Sequence, residues 1–391
     1  MLLSLALIIG LGLLVSTLFK FINLPTLIGM IIVGIILGPC VLNVLDPKLL
    51  SISSEIREVA LIIILIRAGL NLDINELRKV GRSAILMCFI PAVFEIAAIS
   101  ILGPYLLGIS FIESLLIGSI VAAVSPAVVV PRMLKLKETG YGNNKSIPEM
   151  IMASASIDDV IVIVFFTVFL SLNQTGTFDS ATLLRIPTSI ILGILVGILL
   201  GLILMFIYNK FHIRDTIKVI IILIVGFCMV SIEDLFVGII GFSGLLAIMS
   251  IGATINIKKQ KLSYRLSNKF SKIWIVAEIL LFTFVGSSVD ITYILSAGFD
   301  SIVLIILCTS VRFFSVFICL IKTKLNAKEK IFVALSYIPK ATVQAAIGSI
   351  PLNVGLSIGN IALVVAILSI LITAPIGALL IDKTYTKLLQ I

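Results

Sequence analysis

The sequence predicts an all-α membrane protein that crosses the bilayer about thirteen times. Of its 391 residues, 60% are hydrophobic and only 13% are charged, whereas a soluble domain carries about 25% charged residues. Apolar runs recur along the whole chain, and many reach the ~20 residues that a spanning helix needs. Alternating segments typical of membrane β-barrels do not occur. A helical bundle is therefore predicted, because helices satisfy their own backbone groups in lipid.

Thirteen apolar segments are predicted as helices, the first of them retained rather than cleaved as a signal peptide. Glu233 and Asp234 mark a very short turn between the eighth and the ninth. The predicted helices are residues 2–19, 25–43, 56–73, 83–103, 111–135, 147–172, 184–208, 217–236, 239–257, 271–290, 298–321, 328–349 and 356–382.

The basic residues are distributed unequally between the two sides of this arrangement. Loops after odd-numbered helices, with the C-terminus, hold 23 of the 29 Lys and Arg residues, the opposite loops hold three, and three lie inside helices. Because basic loops stay in the cytoplasm, the N-terminus is predicted outside and the C-terminus cytoplasmic, in a plasma or inner membrane. The same asymmetry accounts for the net charge of +9, so no nucleic-acid partner is expected.

Two predicted helices contain breaks in mid-span. The fifth carries Pro126 and Pro131, and the twelfth carries Pro339. Proline removes a backbone donor, and such a break survives in a membrane only where protein buries it or a cavity adjoins it. The two helices are seven apart, so they cross in opposite directions, and helices 2–6 and 9–13 form two inverted five-helix units. Paired interrupted helices indicate a transporter site, although ordinary kinked helices are an alternative.

Seven charged residues lie well inside predicted helices, four acidic and three basic. Each is costly in lipid and is by default a functional candidate; snorkelling is the alternative, mainly for Arg67 and Glu278. If every base pairs with an acid, one carboxylate is left over. A lone buried carboxylate is stable when protonated or when it binds a cation, which is the basis of proton-coupled exchange. The seven are Arg67, Glu95, Asp158, Asp159, Glu278, Arg312 and Lys340.

Asp158 and Asp159 are the strongest candidates, near the middle of the sixth helix. Neighbours on a helix point about 100° apart, so one can face a base while the other faces a cavity. The negative ends of the broken helices favour a cation, and Lys340 is expected to offset their positive ends. Neutral oxygens from side chains and freed carbonyls are expected to complete a cation shell; the candidates are Ser125, Pro126, Ser154, Ser156, Ile338, Pro339 and Thr342.

Four blocks of the sequence, in order, resemble the sodium/proton antiporters of the NHA type, within the second cation:proton antiporter family. They are LIRAGLNLD, SPAVVVPRMLKLKETGYG, IPEMIMASASIDDVIVI and KEKIFVALSYIPKATVQAAIGS. The resemblance implies exchange of Na⁺ or Li⁺ for H⁺ by an elevator-like movement, without a cofactor, in a homodimer. It implies a dimer domain in residues 1–82 and 217–297, a transporting core in 83–175 and 298–391, and a linker helix in 176–216.

The resemblance also implies roles for particular residues. Asp159 is the ion- and proton-binding carboxylate, and Asp158 is its neighbour in the paired-acid motif. Arg312 stands where many paired-acid members carry lysine, and since arginine stays protonated, two-proton electrogenic exchange is in doubt. We expect Arg312 to pair with Glu95 and Lys340 to pair with Asp158, with Arg312 as the other candidate partner of Asp158.

Other functions fit the sequence less well. A K⁺/H⁺ antiporter or a channel-like cation efflux protein remains open, although the chain ends soon after its last predicted helix, without a regulatory tail. An organic-anion symporter on a similar inverted-repeat fold is a weaker alternative, because acids occupy the centre. Intramembrane aspartyl proteases need their acids on separate helices, in YD and GxGD contexts, which this chain lacks. No enzymatic activity is predicted.

Overall fold

The structure is a computed structural model that describes residues 1–22, 24–72, 81–175, 180–236, 242–288 and 291–390. Within these ranges it contains α-helices and one 3₁₀ turn, and no strand, which confirms the all-α class. Nine helical segments in the described ranges are long and apolar enough to cross a membrane. The count of thirteen spans stays a prediction.

The helices of the described ranges are numbered in chain order. They are α1 (Leu2–Phe21), α2 (Thr26–Leu37), α3 (Pro47–Ser51), α4 (Ser53–Leu70), α5 (Arg82–Met87), α6 (Ile90–Leu107), α7 (Phe111–Val121), α8 (Pro126–Thr139), α9 (Ile147–Thr175), α10 (Ser180–Lys210), α11 (Asp215–Phe236), α12 (Gly244–Lys258), α13 (Gln260–Ser287), α14 (Ile291–Cys319), α15 (Ala327–Ser336), α16 (Thr342–Ile347), α17 (Ile350–Asn353) and α18 (Gly359–Leu388).

The chain forms two compact units. The first comprises residues 1–54, 75–162 and 279–391, and the second comprises residues 55–74 and 163–278. In the first unit α6 packs against α7 and α14, while α18 packs against α14, α15 and α16. An apolar cluster that includes Val124, Ile151, Phe332 and Tyr337 fills the interior beside these helices. The predicted division into dimer and transporting domains stays a prediction.

In the second unit α10 packs closely along α12. Gly193, Gly197 and Gly201 lie four residues apart on α10, and a Cβ atom at each would collide with α12 at Ser243, Ala247 and Thr254 respectively. Small residues at this spacing let membrane helices approach closely. The glycine stripe therefore determines which face of α10 meets α12.

The main difference from the predicted boundaries lies at the start of α13. The predicted helices 239–257 and 271–290 leave residues 258–270 as a loop, but α13 begins at Gln260. Leu262, Leu266 and Phe270 recur every four residues and are buried, while Lys261 and Arg265 are exposed. An amphipathic helix continues past the apolar segment here, and hydropathy alone does not detect it.

Candidate functional site

Both predicted breaks are present, and they touch. The first lies between the end of α7 at Val121 and the start of α8 at Pro126, and the second lies between Ser336 and Thr342. Pro126 occupies the first turn of α8, where its missing N–H is not needed. The backbone N–H of Ser125 donates a 2.8 Å hydrogen bond to the carbonyl of Pro339. The two interrupted helices therefore meet through backbone atoms.

Five ionisable side chains are buried around this crossing. Glu95 comes from α6, Asp158 and Asp159 from α9, and Arg312 from α14, while Lys340 lies in the second break. Four of them have no exposed surface, and Asp159 is 8% exposed. A buried group of this kind stays charged only where it is paired and hydrogen-bonded, and otherwise it is neutralised.

Arg312 is the centre of the cluster. Its guanidinium lies 2.9 Å from Asp158 Oδ2 and 3.1 Å from Glu95 Oε2. Its Nε donates to the carbonyl of Tyr337 at 3.1 Å, and its Nη1 donates to the carbonyl of Ala122. The planar guanidinium thus bonds two carboxylates and one backbone carbonyl from each break. A lysine could not make all four contacts, because its three donors lie on a single nitrogen atom.

Lys340 pairs with Glu95 and caps the first broken helix. Its Nζ lies 2.7 Å from Glu95 Oε2 and 2.7 Å from the carbonyl of Val121. The predicted pairing of Arg312 with Glu95 is confirmed, but the predicted pairing of Lys340 with Asp158 is wrong, because Arg312, the other candidate for this pairing, holds Asp158. The expected position of Lys340 at a positive helix end is also wrong. Val121 ends α7, where free carbonyls make the helix end negative.

Sequence reasoning missed Gln344, which lies on α16. Its side-chain amide donates to the carbonyls of Val121 at 3.1 Å and Ala123 at 2.8 Å. The freed carbonyls of the first break are thus largely taken by donors of the protein instead of remaining open for a cation. The only signal for this role was a polar residue in an otherwise apolar segment, TVQAA.

Two further polar contacts brace the second break. Tyr337, at its start, donates a hydrogen bond to the hydroxyl of Ser154, which in turn donates to the carbonyl of Met150 at 2.6 Å. Thr373 on α18 accepts from the backbone N–H of Lys340 at 3.0 Å. Ser154, expected as a cation ligand, therefore uses its proton and one lone pair inside the protein.

Asp158 and Asp159 have different surroundings, as the helix geometry predicted. Asp158 Oδ2 accepts from Arg312 and also from the backbone N–H of Val124 at 2.8 Å. Asp159 forms no ion pair within the described part of the chain, and its Oδ1 is buried without a hydrogen-bond partner there. Asp158 Oδ1 and the Ser125 hydroxyl are likewise buried without a partner. Oxygens of this kind are the ligands that hard cations prefer.

The remaining candidates are placed as follows. Thr342 is buried at the first position of α16, and Pro131 lies inside α8. The side chain of Ser156 lies outside the described residues. Arg67 and Glu278 interact electrostatically with each other and belong to the second unit. The five buried ionisable residues at the crossing, here called the five-charge cluster, belong to the first unit.

A bundle of apolar helices whose buried charges gather at two interrupted helices is the architecture of a secondary active transporter. The family model described as "Sodium/hydrogen exchanger, transmembrane" matches residues 4–383. The chain belongs to this family.

Known proteins resemble the chain over most of its length. Sodium/hydrogen exchanger 9B2 of Mus musculus is 34% identical over 382 residues, which cover 94% of this chain and 69% of that protein. The Homo sapiens protein of the same name is 33% identical, with coverage of 94% and 70%. The structure of the sodium proton antiporter MjNhaP1 from Methanocaldococcus jannaschii superposes with a TM-score of 0.84 at 22% identity, covering 98% of this chain and 97% of that one. This likeness confirms the fold.

Proposed function

We propose that this protein exchanges Na⁺ or Li⁺ for H⁺ across a membrane, and that Asp159 binds the proton and the cation alternately. One observation carries the proposal. At the crossing, three carboxylates meet two bases, and the carboxylate without a base is Asp159. The relatives named as sodium/hydrogen exchangers support the choice of ions.

The charges of the cluster explain why proton and cation compete. Glu95 and Asp158 are balanced by Arg312 and Lys340, so the cluster without Asp159 is neutral. A bare carboxylate at Asp159 adds one uncompensated negative charge, which burial disfavours. Either a proton or a monovalent cation removes that charge, and both cannot be held at once. Loading the site with one ion therefore releases the other.

The same count favours one proton for each cation. Arg312 stays protonated under all ordinary conditions, and the ammonium of Lys340 is held by Glu95 and by the carbonyl of Val121. Arg312, the base that holds Asp158, is then not free to release a second proton during the cycle. Exchange with this stoichiometry moves no net charge, in contrast to two-proton exchange.

Several wider features of the proposal rest on the family. The transporting core would move as a body between the two membrane faces, so that the crossing opens alternately to each side. The protein would act as a homodimer in a plasma or inner membrane, with its N-terminus outside and its C-terminus in the cytoplasm, as the distribution of Lys and Arg favours.

Reconstitution into proteoliposomes tests the proposal. With a pH gradient imposed, addition of Na⁺ or Li⁺ should change the internal pH, and clamping the potential with K⁺ and valinomycin should leave the rate unchanged. Lowering the pH should raise the apparent KM for Na⁺, because protons compete for Asp159. Addition of K⁺ in place of Na⁺ distinguishes a K⁺/H⁺ antiporter.

Asp159→Asn should abolish this exchange. Asp300→Asn is the matched control, because it removes the same charge from an exposed position on α14. Proton movement that is independent of all three cations, or full activity in Asp159→Asn, would show that the proposal is wrong. A rate that follows the membrane potential would overturn the one-proton stoichiometry alone.

A further inference from the structure

A second polar site lies in the unit formed by residues 55–74 and 163–278, at the ends of four helices. A cavity of about 470 Å³ opens where α10 and α12 end and α11 and α13 begin. Its lining includes four bases, Lys218, Lys259, Lys261 and Arg265, together with Tyr208 and Asn209. None of these residues belongs to the five-charge cluster.

The sequence around the cavity is strongly basic. Residues 208–218 and 258–272 together contain nine Lys and Arg residues and a single acidic residue, Asp215. So high a density of one sign creates a positive potential that attracts anions.

The cavity is also built by specific contacts. Lys218 is 8% exposed, and its ammonium lies 3.1 Å from Asp215 Oδ1 and 5.5 Å from the centroid of the Tyr208 ring. Arg265 Nε donates to the other oxygen of Asp215 at 2.8 Å. The hydroxyl of Tyr208 donates to the carbonyl of Lys218 at 3.1 Å. One carboxylate thus orients two bases, which keeps both beside the cavity.

The other two bases have no acidic partner. Lys259 donates to the neutral side chain of Asn209, and Lys261 forms no ion pair within the ranges that the structure describes. Among the described residues beside the cavity, four positive charges therefore face one negative charge. An anion with several oxygens would complete this arrangement.

We propose that this cavity binds a phosphate-bearing anion. Phosphate oxygens suit the guanidinium fork of Arg265 and the ammonium groups of three lysines. The cavity lies on the side predicted to be cytoplasmic, where anionic lipids concentrate and where basic pockets between helices bind phosphorylated head groups. The phosphate can come from such a head group or from a soluble phosphate compound. The proposal does not depend on the ions that the protein exchanges.

Binding to the purified full chain in detergent tests the proposal. The three anionic phosphate probes are a short-chain phosphatidylinositol bisphosphate, inositol trisphosphate and inorganic phosphate. The control probe is a zwitterionic phosphatidylcholine of equal chain length. Microscale thermophoresis gives Kd, and the thermal midpoint of unfolding gives an independent readout. Binding of the lipid probe alone indicates a head-group site, and equal binding of inositol trisphosphate indicates a site for soluble phosphates. Absence of binding by all three phosphate probes would overturn the proposal.

Paired variants show whether the cavity is responsible. Lys259→Gln with Lys261→Gln removes two charges from the lining, and Lys258→Gln with Lys272→Gln removes two exposed charges from the same segments outside the lining. Each base near an anionic phosphate is worth about fivefold in affinity. The lining pair should therefore raise Kd about 30-fold and the control pair much less. Equal losses in both pairs would mean diffuse attraction to the basic surface, and would overturn the site. Unchanged Na⁺/H⁺ exchange without phosphate confirms that both pairs are folded.

Discussion

The two adjacent carboxylates of α9 occupy regions with opposite chemistry. On the side of Asp158, every charge is matched: Arg312 joins Asp158 to Glu95, and Lys340 joins Glu95 to the end of α7. On the side of Asp159, no base approaches within ion-pairing distance in the described residues, and its Oδ1 is buried without a hydrogen-bond partner there. Neighbouring positions in the sequence therefore have different surroundings.

The difference teaches how a buried charge can be either structural or functional. Asp158 is held by two donors, so its charge helps to hold the crossing together. Asp159 has no such support in the described residues, and in the proposed function a proton or a cation neutralises it. A site that exchanges ions needs one unpaired carboxylate, such as Asp159, held in place by paired charges such as that of Asp158.

The largest expected effect is on stability, and it separates the two acids. Asp158→Asn leaves Arg312 with only one carboxylate, and breaking a buried pair costs up to about 3–5 kcal/mol. Asp159→Asn removes an unpaired buried charge, so its thermal midpoint in detergent should stay unchanged or rise while transport is lost. Fluorescence-detected melting of both variants, with Asp300→Asn as control, measures this. Equal destabilisation by both substitutions would contradict the distinction between the two regions.

An intermediate effect is expected within the paired region. Lys340→Gln and Glu95→Gln should each lower the thermal midpoint, but the double variant should lose less than the two single losses together. The reason is that the remaining Arg312 and Asp158 still balance each other. Contacting residues of this kind couple by about 0.5–3 kcal/mol.

The control for this coupling is the pair Lys340→Gln with Asp158→Asn, whose side chains do not form an ion pair. This pair also leaves one base and one acid, Arg312 and Glu95, so some coupling is expected. The coupling should be weaker than that of Lys340 with Glu95, because no direct contact joins Lys340 to Asp158. Stronger coupling of Lys340 to Asp158 than to Glu95 would restore the pairing first expected from the sequence.

The smallest effect on stability is expected at Ser125, in the first break. Its hydroxyl is buried and has no hydrogen-bond partner in the described structure, so Ser125→Ala should leave the melting temperature almost unchanged. If the hydroxyl is a cation ligand, the apparent KM for Na⁺ should rise several-fold at constant maximal rate. Gln344→Ala gives the opposite pattern, because two hydrogen bonds to Val121 and Ala123 are lost, at about 1 kcal/mol each. An unchanged KM in Ser125→Ala would remove this residue from the site.

The sequence by itself determined the class and the centre of the site. Apolar runs of bilayer length require helices, because lipid offers no partners for backbone groups. Prolines located both interrupted helices, since proline cannot continue a hydrogen-bonded helix in mid-span. The excess of acids over bases inside the helices predicted one unpaired carboxylate, and the 100° step between helical neighbours predicted unequal surroundings for Asp158 and Asp159.

Only the tertiary structure decided which charges meet. Arg312 and Lys340 are 28 positions apart on different elements, and both had acids within plausible reach. The crossing of the breaks places Lys340 beside the end of α7, so its ammonium satisfies Val121 and Glu95 and leaves Asp158 to Arg312. Gln344 could be recognised only when the freed carbonyls that it caps were located in space. The local sequence determines where a helix must stop. The donors that bond the free backbone carbonyls at that end come from distant segments, which only the packing of the chain brings together.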